Sequence, residues 1–221
     1  MDHAVAAIAL AVVASLQPTT LVRSVALLDR PPPGRTLAWR FALGLGATLL
    51  LVAGVAGVTI LTIIRGSTVP TTEIDTSDVL LGGIALLAAL GGLVVVMRRG
   101  GPDEEPPELP LRSLAGPMAG FGLGMRTMAV SFAPLALYIA AVGEIVSIDE
   151  LWGFAAVLLV VVTAAALGAG LVAPSLEALS PERAEQALPR LHVWALTSGP
   201  LTAGLASGLA GAALVLRGIL D

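Results

Sequence analysis

The sequence predicts an all-α polytopic membrane protein with six transmembrane helices in a 3+3 inverted repeat, the first helix of each half broken at proline. Three observations carry this. Hydrophobic residues make up 56% of the 221 residues and charged ones 13%, roughly half the charged share of a soluble domain. Apolar runs recur at or beyond the roughly 20 residues that cross a hydrocarbon core. And the breaker Ser-x-x-Pro interrupts two of the greasiest runs, as S-L-Q-P at Ser15–Pro18 and S-F-A-P at Ser131–Pro134. The mean hydropathy of +0.92 agrees.

Hydropathy places spans at about 4–29, 36–64, 78–97, 113–143, 150–173 and 194–216. The opening M-D-H-A-V-A-A-I-A-L has no positive leader and is expected to be a retained first helix. The breakers between spans are D-R-P-P-P-G-R, then G-S-T-V-P-T-T-E-I-D-T-S-D, then M-R-R-G-G-P-D-E-E-P-P-E-L-P. The last is rich in proline and charge, which makes 98–112 a cytoplasmic linker between repeats 1–97 and 113–221. L-S-P-E-R-A-E-Q-A-L-P-R-L-H separates the final two spans and has room for a short surface helix.

Orientation follows from the arginines, which supply all 12 basic residues. With the N-terminus outside, Arg30, Arg35, Arg40, Arg98, Arg99, Arg112, Arg183 and Arg190 fall inside, against Arg65 and Arg217 outside. Three spans per half invert the second half relative to the first, a layout common in secondary transporters. The ends of the third and sixth spans, G-G-L-V-V-V-M-R and G-A-A-L-V-L-R, are also alike.

Proline in a helix removes a donor and frees a carbonyl, which hydrocarbon cannot satisfy. Such breaks belong where they face protein or a polar cavity. Gln17, Pro18, Thr19 and Thr20 surround the first break. Thr127, Ser131, Pro134 and Tyr138 surround the second. A proline kink whose hydroxyls bond their own helix explains one break; two in matching phase point to walls of a shared midplane site. Arg23 and Arg126 fall inside spans, about 8 and 12 Å from their prolines at 1.5 Å per residue. No Asp or Glu lies mid-span beside them. A buried arginine faces water or an anion, and guanidinium forks suit phosphate, sulfate or carboxylate. Snorkelling to the interface is the simpler account of Arg23; Arg126 lies 13 residues into its span.

Several classes drop out. There is no cysteine, so no disulfide framework and no thiolate site. His3 and His192 are far apart and lack partners at metal-ligand spacing, so no metal or cofactor is expected. No basic tail suggests nucleic acid. The absence of mid-span acids argues against cation export and against a carboxylate proton site. No nucleophile-base pair indicates catalysis. Gly116, Gly120 and Gly124, and Gly204 with Gly208, put small faces on the fourth and sixth spans for close packing. Trp39, Trp152 and Trp194 lie near span ends, as interfacial anchors do.

An N-terminal apolar helix broken at x-P-T-T-L, a Pro/Arg-rich first inner loop and a long glycine-bearing second helix resemble one known family. These are the sulfolipid- and glycopeptidolipid-addressing (Sap/GAP) proteins of the lysine-exporter (LysE) superfamily. The family pattern has Asn-Pro at each break, where this chain has Gln17-Pro18 and Ala133-Pro134. The resemblance implies a multi-pass protein of the bacterial inner membrane that helps export a cell-envelope (glyco)lipid, beside a larger lipid exporter. The expected function is therefore transport of an anionic amphiphile, with membrane lipids as partners. Arg23 and Arg126 would hold the headgroup, and the residues around the breaks would line the path. An exporter of a small polar solute such as an amino acid, and a membrane-embedded lipid-modifying enzyme, stay open as alternatives. So does a homo-oligomer.

Overall fold

The computed structural model describes residues 2–29, 34–66, 80–87, 90, 118–148 and 152–220. The linker 98–112, most of the third span, the start of the fourth and Gly116 lie outside them, as do Arg30, Arg98, Arg99 and Arg112 of the orientation argument. The described residues are all-helical, with no strand among them. In order they form α1 (Asp2–Ala14), α2 (Pro18–Leu28), α3 (Gly34–Gly66), a helical stretch at 80–87, α4 (Ala119–Ala129), α5 (Phe132–Val146), α6 (Trp152–Ala166), α7 (Gly168–Leu179), α8 (Pro181–Thr197) and α9 (Gly199–Leu220).

Among the described residues, two helices are by length and composition able to cross a membrane: α3 over Gly34–Ile60 and α9 over Gly199–Leu220. The number rises to five if each bent pair is one span. The pair α1–α2 bends by 57°, α4–α5 by 80° and α6–α7 by 77°. The first two are the breaks expected from Ser-x-x-Pro. The third was not expected. Large apolar side chains stay exposed along these helices, among them Leu43, Val58, Val160 and Leu209, each more than 60% exposed. A water-soluble surface rarely carries so much apolar area.

Three prolines have traceable consequences. Pro18 is the first residue of α2, where a missing N–H belongs to the free donors of a helix start. It cannot donate to the carbonyl four residues back, that of Ala14. The Gln17 amide does so instead, from Nε2 at 2.9 Å. At the second break the helix parts at Val130–Ser131, ahead of Pro134, which occupies the first turn of α5. The Ser131 N–H turns to the Met128 carbonyl at 3.0 Å. The Thr127 carbonyl it would have served accepts the Ser131 hydroxyl at 2.7 Å. Pro174 lies inside α7 and leaves the carbonyl of Gly170 without its helical donor. The buried Ser24 hydroxyl of α2 donates to that oxygen at 3.1 Å. Side chains thus repair what proline removes, as a lipid-facing chain requires.

Packing relies on glycine where helices meet backbone to backbone. A Cβ on Gly124 would lie against the Phe41 carbonyl, and one on Gly44 against the Phe121 carbonyl, so α3 and α4 are nearly in contact along their axes. Gly82, in the stretch 80–87, and Gly211 of α9 make the same kind of approach. The main core gathers Phe41, Leu45, Leu49, Met128, Leu137 and Tyr138, all essentially buried. A second cluster of Leu21, Val25, Ala173, Ala184, Leu188 and Ala195 joins α2, α7 and α8. Helix α8 lies in the segment expected to hold a short surface helix. It is amphipathic, with Ala184 and Leu188 inward and Glu182, Arg183, Glu185 and Arg190 exposed.

Candidate functional site: the meeting of the broken helices

Four helix junctions meet in one layer. The Gln17 amide lies 3.7 Å from the sulfur of Met128, joining the first break to the end of α4. A Cβ on Gly168, at the third break, would sit 3.5 Å from Ser15 Cβ. A Cβ on Gly199, between α8 and α9, would sit 3.0 Å from Pro18 Cβ.

The first junction is organised by Gln17, 7% exposed. Its Nε2 donates to Ala14, and its Oε1 accepts from the Thr20 hydroxyl at 2.8 Å. That arrangement consumes Thr20, which is 2% exposed. Thr19 points outward and is exposed.

One and a half turns along α2, Arg23 is half-buried and donates from Nη1 to the Thr127 hydroxyl at 2.5 Å. Thr127 is buried and donates in turn to the Leu123 carbonyl at 2.8 Å. This chain of bonds ties α2 to α4. Arg126, the residue before Thr127, is exposed in the last turn of α4, where the negative end of the helix dipole favours a cation. Its charge bears on Arg23. Among the described residues no carboxylate forms an ion pair with either arginine. Two guanidiniums on neighbouring helices, with no counter-charge paired to them among the described residues, have the chemistry to attract an anion.

Of the residues singled out from sequence, the structure therefore brings together Gln17, Thr20, Arg23, Arg126 and Thr127, beside Pro18, with Ser131 attached through the Thr127 carbonyl. Pro134 is partly buried in the first turn of α5. Tyr138 is elsewhere: wholly buried, its hydroxyl pairs with that of Thr163 on α6 at 2.8 Å.

Sequence reasoning missed a second polar cluster. Glu144 falls one residue past the hydropathy boundary at 143. It lies within α5, 5% exposed. Its Oε2 pairs with His3 Nδ1 of α1 at 2.6 Å, and its Oε1 pairs with Arg217 of α9. The available signal was helical phase, since Leu137, Ala141, Glu144 and Ile145 continue one buried face. Among the described residues, no group of three or more His, Cys, Asp or Glu could hold a metal ion.

Fold and site together define an all-helical chain whose long apolar helices suit a membrane and whose broken helices converge on a cationic pair. No protein-family model, curated protein or solved structure matches the chain.

Proposed function

We propose that the protein is a six-span inner-membrane transporter or translocation helper, and that it takes the anionic headgroup of an amphiphile between α2 and α4. The observation that carries this is the Arg23–Thr127 bond, with Arg126 adjacent to Thr127 on α4 and, among the described residues, no carboxylate paired with either arginine. The setting of Arg126 favours a lipid over a soluble solute. It lies on a stripe of α4 that exposes Met118, Gly122, Ala129 and Val130, with Phe132 just beyond. Met118, Val130 and Phe132 are each about three-fifths or more exposed, at 66%, 59% and 67%. A headgroup at Arg126 would leave its acyl chains on that apolar face. A small polar solute gains nothing from it.

An inverted repeat with the N-terminus outside is part of the same proposal. It is supported by reciprocal packing: α1, the first arm of one broken helix, packs on α6, and α4, the first arm of the other, packs on α3. On this reading Arg23 and Arg126 lie on the cytoplasmic side of their breaks, where a lipid awaiting export would be met. The cell-envelope lipid class follows the Sap/GAP resemblance of the sequence.

Binding to vesicles of zwitterionic lipid doped with a fluorescent anionic phospholipid tests the site. Losing a charge-assisted contact worth about 1.5–3 kcal/mol lowers affinity at least about tenfold. Arg23→Ala and Arg126→Ala are each expected to show that loss for the anionic probe and none for a zwitterionic one. Unchanged binding in both variants refutes the headgroup site. Equal competition by free phosphate would favour a soluble anion over a lipid.

A further inference from the structure

The cluster at the far end of α1 and α5 has no role in that proposal. Helices α1, α5 and α9 all leave the layer of breaks: α1 ends at Ala14, α5 begins at Phe132, and α9 begins at Gly199 beside Pro18. At their other ends one carboxylate ties all three. Glu144 of α5 pairs through Oε2 with His3 Nδ1 of α1 at 2.6 Å, and through Oε1 accepts from Arg217 in the last turn of α9. We propose that Glu144 is a latch, which holds α9 against α1 and α5 and so closes this end of the molecule.

Two features make it a latch and not a fixed anchor. The first is how little else α9 interlocks. Its buried residues are Gly199, Ser207, Gly211, Leu214 and Gly218, and of these only Leu214 is a large side chain, packed into the core shared by α1 and α5. Helix α9 has few side-chain contacts to lose on tilting, so the ion pair carries a large share of what fixes its far end.

The second is the asymmetry of exposure. Glu144 is 5% exposed, while His3 is 45% and Arg217 39% exposed. An outward tilt of α9 keeps both cations in water and opens Glu144 to it as well. Ion bonds are then exchanged for hydration, and no charge is stranded in an apolar interior. The pivot is the junction at Ser198–Gly199, where α8 ends and α9 starts.

Helices α1 and α5 are the other arms of the two broken helices that carry Arg23 and Arg126. Under the transport reading, on which this role rests, the arginine end is open at Arg126 while the Glu144 end is tied shut. The latch is then the far gate: a headgroup taken up at the arginines leaves only after α9 has parted from α1 and α5. The holding of α9 itself needs no cargo.

The chain has no cysteine, so reporters can be placed without background. Ser207→Cys puts a thiol on the buried face of α9, at a position 5% exposed. Its rate of reaction with a charged, water-soluble thiosulfonate is measured in nanodiscs of zwitterionic lipid at constant pH. Arg217 has a further interaction, so the latch is released at the carboxylate, by Glu144→Gln, which keeps the size of the side chain. Where reclosing outruns labelling, the rate follows the open fraction. Loss of the charge-assisted bonds is expected to raise that fraction, and the rate with it, at least about tenfold. Ser24→Cys, at a fully buried position between α2 and α7, is the second reporter and should stay protected with and without Glu144→Gln. An unchanged Ser207→Cys rate in Glu144→Gln overturns the latch. So does equal exposure of both reporters, which is general loosening and not the parting of α9. Anionic lipid is absent throughout, so failure here leaves the headgroup site standing, and failure there leaves the hold on α9.

Discussion

Gly124→Ala tests how closely α3 and α4 approach and whether that approach holds the site together. The added methyl would press on the Phe41 carbonyl and come within 3.0 Å of both Leu45 N and Phe41 C. All three are backbone atoms of a continuous helix, so no side chain can swing away. Carbon contacts settle near 3.5–4.0 Å, so α4 must retreat by about 1 Å, and gaps of that size forfeit a quarter to a half of each dispersion well. Overpacking of this kind costs about 1–3 kcal/mol, and here the upper part of that range applies because only rigid-body movement relieves it. The intrinsic helix gain of alanine over glycine returns about 1 kcal/mol. The net loss is about 2 kcal/mol, a fall in melting temperature of about 4–8 °C for a chain of this length.

Thermal unfolding in detergent, followed by size-exclusion recovery, measures it. Gly122→Ala is the control, two positions away, where a Cβ meets nothing within 4 Å. It should lose no stability. The same 1 Å retreat draws Thr127 away from Arg23, so Gly124→Ala should weaken anionic-lipid binding as well. If the two alanine variants melt together, the backbone contact is wrong, and with it the link between glycine packing and the site.

Two further substitutions separate structural bonds from the site. Tyr138→Phe removes one buried hydrogen bond while Thr163 keeps the Leu159 carbonyl; it should cost about 1 kcal/mol and leave lipid binding unchanged in the vesicle assay. Gln17→Leu strips the donor from the Ala14 carbonyl and the acceptor from Thr20; a loss of about 1–3 kcal/mol is expected on thermal unfolding. Wild-type stability in that variant would mean the carbonyl is satisfied another way.

What the sequence disclosed was set by whether a feature announces itself locally. Pro18 and its hydroxylated neighbours marked the first break to within a residue. Pro134 marked the second break less sharply, because a proline in the first turn of a new helix lets the chain part several residues earlier, at Val130–Ser131. The third break carries no such mark. Its nearest proline is Pro174, mid-α7, and the bend at Leu167–Gly168 lies beside Ser15 of the first break. Tyr138 lies one turn after Pro134 on α5, but its hydroxyl turns to Thr163 of α6 and not to the site. Gln17 against Ala133 looked like two unequal ligands. In the structure the counterpart of Gln17 is Ser131, since both serve as substitute donors for a carbonyl at their own break.

That equivalence bears on how the two ends of the molecule could communicate. Glu144 lies 13 residues from Ser131, and His3 lies 12 residues before Ser15, so each is about 18–20 Å along its helix from the break. Across that span, with an effective dielectric constant near 20, a unit charge is worth only about 1 kcal/mol to another. Inverting a 1:99 population takes about 5.5 kcal/mol. Direct electrostatics between the Glu144 cluster and the arginines at the breaks is therefore weak, and any coupling between the two ends requires movement of the arms. A continuous helix would resist such movement through its backbone ladder. At these breaks the ladder is replaced by the Gln17 amide and the Ser131 hydroxyl, donors on rotatable side chains that can follow their carbonyls through a change of angle. The polar residues that make the breaks tolerable in an apolar surrounding are thus the same ones that would let an arm change its angle without losing its bonds.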